Sequence, residues 1–293
     1  MNSVVSAGAR PAQYLPVLIF AYRRPIHFSN CWRSLAENAE ASSTDLHIFL
    51  DGPKNATDSV AVRETKEEAR RIHGFKTVHL HCSDVNQGLS ASIINGIGII
   101  KSLAHAWIVL EDDIEVSPFF LKYMNEAVAI YRDVPEVASI HGYVYPIASI
   151  LPETFFLKGA DCWGWATWQA AWTRFEPDGK KLLEQLKIRG SEKEFDLGGV
   201  APFTEMLKSQ ISGRNDSWAI RWHASAFLAG LHTLYPGRSL VKNTGLDNSG
   251  THCGRTIKFD IDLSPGPVEV LPITVEESAV GRKAFQEFYE SSK

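Results

Sequence analysis

The chain predicts an α/β fold built on a mostly parallel central sheet flanked by helices, and three observations carry that prediction. Short uninterrupted apolar runs recur, as in parallel strands buried on both faces. Segments of helical period separate them, so successive strands are joined by crossovers. Charged residues gather directly after the runs, at the strand ends where open parallel sheets bind ligands.

The first run is Pro16-Val17-Leu18-Ile19-Phe20-Ala21. Phe28, Cys31, Trp32 and Leu35 follow at i, i+3, i+4 and i+7, one face of a helix. Leu46-His47-Ile48-Phe49-Leu50 is the second strand, and Asp51-Gly52-Pro53 is a turn signal that stops it. A charged helix is expected over 60–72, an alternating strand over 77–81 and a helix over 88–104 with Ile93, Ile97 and Ile100 inward. The fourth strand is 107–110. Ser117 and Pro118 suit the N-cap and first position of a helix whose Phe120, Tyr123, Met124, Ala127, Val128 and Tyr131 form an apolar stripe. Beyond Pro135 short strands are expected at 137–140 and 155–157. The charged stretch 180–213 is expected to be mobile, and 272–293 to carry a helix docking through Val280, Ala284, Phe285 and Phe288.

With 293 residues and 44% hydrophobic content the chain can bury a sizeable core. A net charge of -4 disfavours a nucleic-acid partner. No apolar stretch has the length of a membrane span, and residues 1–15 read as a loose tail without the apolar block of a secretory signal. Cys31, Cys82, Cys162 and Cys253 lie far apart, so free thiols and a cytoplasmic location are expected.

The most informative residues are Glu111-Asp112-Asp113, at the end of the fourth strand. Adjacent carboxylates repel, and burial penalises their charge. A hard divalent cation answers both costs, since no His or Cys lies beside the acids. Strand alternation puts Glu111 and Asp113 on one face and Asp112 on the other. An acidic turn that merely caps the next helix is the alternative. Arg23-Arg24 and Asp51 also fall at strand ends, so these groups are expected to converge.

Residues 163–172 hold four of the eight tryptophans. Trp165, Trp168 and Trp172 share helical spacing and read mainly as core. Gly164 permits close backbone approach to a ligand, and Trp163 or Trp165 is suited to lie against a sugar ring. Asp216, before Trp218, is either part of a helix cap or a general base. The polar loop 242–252 offers Gly245 and His252 to an anion or a metal, or is an ordinary surface loop.

The run Ile108-Val109-Leu110-Glu111-Asp112-Asp113-Ile114-Glu115-Val116-Ser117-Pro118-Phe119-Phe120 closely resembles the metal motif of eukaryotic N-acetylglucosaminyltransferase I and its relatives, inverting glycosyltransferases of the GT-A fold that use Mn²⁺. The resemblance covers roughly 16–250, strongly at the acids and loosely elsewhere. It implies a GT-A-like fold with Asp113 as the metal ligand and Glu111 and Asp112 on the donor sugar and ribose. Arg24 would contact the nucleotide, Asp51 the uracil, and Asp216 would be the catalytic base. Gly164 and Trp165 match a loop near the donor, and Gly245 and His252 a loop closing over the diphosphate. The implied organisation is a tail (1–15), one domain (16–260, with a nucleotide-binding half 16–134 and an acceptor half 135–260) and an extension (261–293).

Eukaryotic members carry a membrane anchor and stem, which have no counterpart here, so the chain is more similar to a bacterial cytosolic relative making a surface polysaccharide. The implied activity uses Mn²⁺ or Mg²⁺ to move a sugar, GlcNAc above all, from a UDP-sugar to a saccharide or lipid-linked acceptor, with peripheral contact at the inner membrane surface. Two alternatives stay open. A sugar-nucleotide nucleotidyltransferase would show a glycine-rich loop with a Lys where this chain has Tyr22-Arg23-Arg24-Pro25. A non-catalytic sugar- or nucleotide-binding module would keep the fold without turnover.

Overall fold

Val17–Ala21 (β1) is buried at every position, as a strand covered on both faces must be. The computed structural model, which describes residues 14–247 and 256–291, continues with α1 (Pro25–Ala36), β2 (Asp45–Leu50), α2 (Ser59–Ala69), β3 (Thr77–Cys82), α3 (Leu89–Ile100) and β4 (Ala106–Glu111). These strands lie in the order β3-β2-β1-β4, all parallel. A short β5 (Ile114–Val116), α4 (Phe120–Tyr131), β6 (Val137–His141), β7 (Thr154–Lys158), β8 (Trp165–Trp168) and α5 (Gln169–Trp172) follow. Then come α6 (Gly179–Ile188), α7 (Glu192–Phe195), α8 (Phe203–Ile211), α9 (Trp218–Leu228), β9 (His232–Pro236), β10 (Val241–Asn243) and α10 (Ala279–Glu290).

The sheet runs β3-β2-β1-β4-β8-β6-β9-β7. Four of its seven pairings are parallel, and helices flank it, which is the α/β class with a mostly parallel central sheet that is expected. The second half departs from simple βαβ succession, because β8 inserts antiparallel between β4 and β6. A separate antiparallel ribbon pairs β10 with β5, carrying the loop after Asn243 to the end of β4. No helix among the described residues is long and apolar enough to cross a membrane.

Four local expectations are corrected. Trp165 and Trp168 are strand residues: Trp165 pairs with Val109 on one side and His141 on the other, and this sheet pairing overrides their helical spacing. Residues 180–213 fold into α6, α7 and α8, whose Leu182, Leu186, Phe195, Phe203 and Leu207 make a second small core with Ile220 and Ala224 of α9. Ser117 precedes α4 rather than capping it; its carbonyl accepts the Phe120 N–H at 3.0 Å and its hydroxyl donates to the Ser264 carbonyl. In α10, Ala284, Phe285 and Phe288 dock as expected, whereas Val280 is exposed.

Buried histidines make stability depend on pH. His47 is 7% exposed, stacks on His79 and has Nδ1 3.1 Å from His81 Nε2. Burial, reinforced by His79 and His81, pushes its pKa down from 6.5 to about 4, and burial does the same to His141, to about 4. A folded-state value below the unfolded one means that the unfolded chain takes up more protons as pH falls. Stability is therefore full above the unfolded value of 6.5 and is lost on going down towards 4. Each shift corresponds to at most ~3 kcal/mol. Thermal melts are expected to show Tm falling between about pH 7 and about pH 5, less steeply in His47→Gln.

Candidate functional site

β1 delivers Tyr22-Arg23-Arg24 and β4 delivers Glu111 to the same end of the sheet, because the two strands are parallel and paired, Phe20 opposite Glu111. The chain turns at Asp112-Asp113 before β5. That turn breaks the expected alternation: both aspartates reach the same guanidinium. Arg24 Nη2 donates to Asp112 Oδ1 and lies 2.9 Å from Asp113 Oδ2. Asp112 Oδ2 also accepts the Tyr22 N–H at 3.3 Å. Burial works against the Arg24 charge, but Asp112, Asp113 and Glu111 outweigh it and hold the guanidinium above its usual range. Burial raises the Asp112 carboxyl, with Arg24 opposing. Burial, with the Asp113 charge adding to it, pushes Glu111 up to about 8, while a hydrogen bond from Trp218 opposes the shift.

Asp113 is 8% exposed, and its Oδ1 is buried without a hydrogen-bond partner. Its carbonyl accepts Thr244 N–H at 2.9 Å and Thr244 Oγ1 at 3.0 Å, which lays the loop after β10 across it. Gly245 is the next residue, and a Cβ there would lie 1.9 Å from Asp113 Oδ2 and 2.8 Å from Arg24 Nη1. Only glycine leaves that space. An orphaned carboxylate oxygen beside such a cradle fits a divalent cation. Among the described residues no group of three or more His, Cys, Asp or Glu could hold a metal ion, so the remaining ligands would be phosphate and water oxygens, the usual Mg²⁺ pattern. His252 lies outside the described residues.

Asp51 stands at the end of β2, 6% exposed, but its carboxylate is committed. Oδ1 accepts Gly52 N–H at 2.9 Å and Gln87 N–H at 2.8 Å; Oδ2 accepts Gly88 N–H and Asn86 Nδ2, both at 2.9 Å. All four acceptor sites of a carboxylate are thereby used. These bonds shape the 86–88 loop that opens α3, whereas the resemblance implies a side-chain contact to a base.

Asp216 is 62% exposed and 3.7 Å from Arg221 Nη2. The N-cap of α9 is Ser217, whose side chain accepts the Ile220 N–H. A Cβ on Gly88 would lie 3.9 Å from Asp216 Oδ2, so Asp216 is beside the loop that Asp51 shapes. Two residues on, Trp218 hydrogen-bonds the side chain of Glu111, which links the start of α9 to the acid motif.

Gly164 and Trp165 are buried. Gly164 has φ +62, and a Cβ there would meet Val241 Cγ2 at 2.6 Å, so conformation and packing account for it. Trp165 is 0% exposed, with Trp218 stacked on it at 5.3 Å and Trp172 and Trp222 beyond. The indole at an open surface is Trp163. It lines a cavity of about 460 Å³ together with Glu111, Tyr143, Tyr145, Asp161 and Phe259. Asp161 went unremarked in the sequence because one acid between Ala160 and Cys162 has no spacing signature; its only signal is adjacency to the tryptophan block.

No family model and no curated protein matches the chain. Solved structures similar to it include a cytidylyltransferase from Leptospira borgpetersenii serovar Hardjo-bovis (strain JB197), 11% identical over 58% of this chain and 63% of that one, TM-score 0.34. Another is a UDP-glucose pyrophosphorylase complexed with UDP-glucose, 9% identical over 76% of this chain and 90% of that one, TM-score 0.36. The chain thus spans less than two thirds of the cytidylyltransferase's length. Both names are those of nucleotidyltransferases, not of the glycosyltransferase family that the acid motif resembles, and at these values the likeness assigns no activity.

Proposed function

We propose that this protein moves a sugar from a UDP-sugar to a hydroxyl of a saccharide or lipid-linked acceptor, with inversion and with a divalent cation. GlcNAc is the donor sugar that the resemblance implies. One observation carries the reading: the Arg24-clamped acid motif ends β4 on one side and, through Glu111, lines an aromatic cavity on the other. Sugar transfer needs such adjoining places for two substrates.

In this reading Asp113 holds Mn²⁺ or Mg²⁺ together with the donor diphosphate. When bound, the cation neutralises the charge that develops on the leaving diphosphate. Arg24 keeps the paired aspartates in place and adds positive charge beside the diphosphate. Asp112 and Glu111 face the ribose and the sugar, and Gly245 lets its loop close against the site. Asp216 accepts the proton of the attacking hydroxyl as its oxygen bonds to the anomeric carbon and the bond to the diphosphate breaks. A lipid-linked acceptor would go with peripheral contact at the inner membrane surface.

Nucleotidyl transfer is the second reading, and it is the activity in the names of both similar structures. Against it, Pro25 opens α1 directly after Arg24, with no glycine-rich phosphate loop. The products separate the two. Glycosyl transfer from UDP-GlcNAc to a glycoside releases UDP, whereas nucleotidyl transfer from a nucleoside triphosphate to a sugar 1-phosphate releases pyrophosphate. Pyrophosphate release without any UDP-forming transfer would overturn the proposal.

A further inference from the structure

We infer that the aromatic cavity beside Glu111 binds a neutral saccharide, with Asp161 accepting hydrogen bonds from its hydroxyls. This rests on the glycosyl-transfer reading, in which that saccharide is the acceptor. At about 460 Å³ the cavity has the size of a small-molecule site. Its aromatic walls hold one another edge to face: Tyr143 and Trp163 at 4.8 Å and 71°, Trp163 and Phe259 at 5.5 Å and 85°. Such walls offer flat apolar faces to a sugar ring, and Trp163 and Phe259 are both half-buried.

The polar groups select the class of ligand. Asp161 Oδ2 accepts the Tyr235 hydroxyl at 2.9 Å, and among the described residues Asp161 has no ion-pair partner. With one hydroxyl donor and no ion pair, the Asp161 carboxylate can accept further donors, and sugar hydroxyls are donors. Lys258 lines the same cavity, its Nζ 5.0–5.2 Å from the rings of Phe259, Phe288 and Tyr289. An anionic ligand meets Asp161 and a cationic one meets Lys258, whereas a neutral polyol uses both. Burial first, and the Asp161 charge second, raise the Tyr143 and Tyr145 hydroxyls far above their usual range, so these remain protonated.

The test is ligand-observed NMR with methyl β-glucopyranoside and methyl N-acetyl-β-glucosaminide, their uronic-acid and free-amine counterparts, with and without UDP and Mn²⁺. The neutral glycosides are expected to bind, and the charged ones at least about tenfold more weakly. Asp161→Asn keeps an oxygen for the Tyr235 hydroxyl, so a purely structural role survives in it. It is expected to weaken glycoside binding at least about tenfold while leaving UDP affinity unchanged. Trp163→Leu, at a half-buried position, is expected to do the same and serves if Asp161→Asn does not fold. Undiminished binding in a folded variant, preference for a charged glycoside, or no glycoside binding by the wild type would overturn the inference. Glycoside binding through Asp161 without any UDP binding would support the cavity assignment and count against the glycosyl-transfer reading.

Discussion

Arg24→Met is expected to destabilise the protein by about 3–5 kcal/mol, the cost typical of removing one partner from a buried ion pair. Arg24 is 17% exposed at its side chain, and its two partners, Asp112 and Asp113, are 5% and 11% exposed. Met keeps the apolar stem but leaves two adjacent carboxylates with no counter-charge. Desolvation and mutual repulsion then act unopposed. Urea denaturation checks this, and Mn²⁺ is expected to restore part of the loss, since a cation on Asp113 would replace some of the missing charge. A loss below about 1 kcal/mol would show that the acids do not depend on Arg24 for their burial.

Asp216→Asn is expected to lower kcat by about 10²–10⁴ with donor affinity unchanged. Asn matches Asp in shape and cannot take a proton. The residue is exposed and lies close to Gly88, outside the main core, so the substitution should leave folding intact. A steady-state assay of UDP release, with parallel UDP titration, separates loss of chemistry from loss of binding. Turnover equal to wild type would remove Asp216 from the mechanism.

Strands β1, β2 and β4 were legible because they are largely apolar runs, buried at nearly every position, and the more exposed β3 because it alternates. The acid motif was legible for a related reason: carboxylates that end a buried strand stand out against its composition. What the sequence withheld was tertiary. Three of the four hydrogen bonds to the Asp51 carboxylate come from residues 86–88, some 35 positions away, and no local pattern announces that. Charge masked Leu182, Leu186 and Leu207, whose helical faces needed α9 as a partner before they read as core. Trp165 and Trp168 carried a helical spacing that sheet pairing overruled. Asp161 is conspicuous only once Tyr143, Trp163 and Phe259 surround it.

Asp113 is proposed to gather a divalent cation and a uridine diphosphate at the end of β4. Calorimetric titration of UDP into the wild type and Asp113→Ala, each with and without Mn²⁺, tests it most directly. Binding is expected to require Mn²⁺ in the wild type and to be lost in Asp113→Ala. Metal-independent binding, or none, would contradict it and leave Glu111-Asp112-Asp113 as an acidic turn held by Arg24.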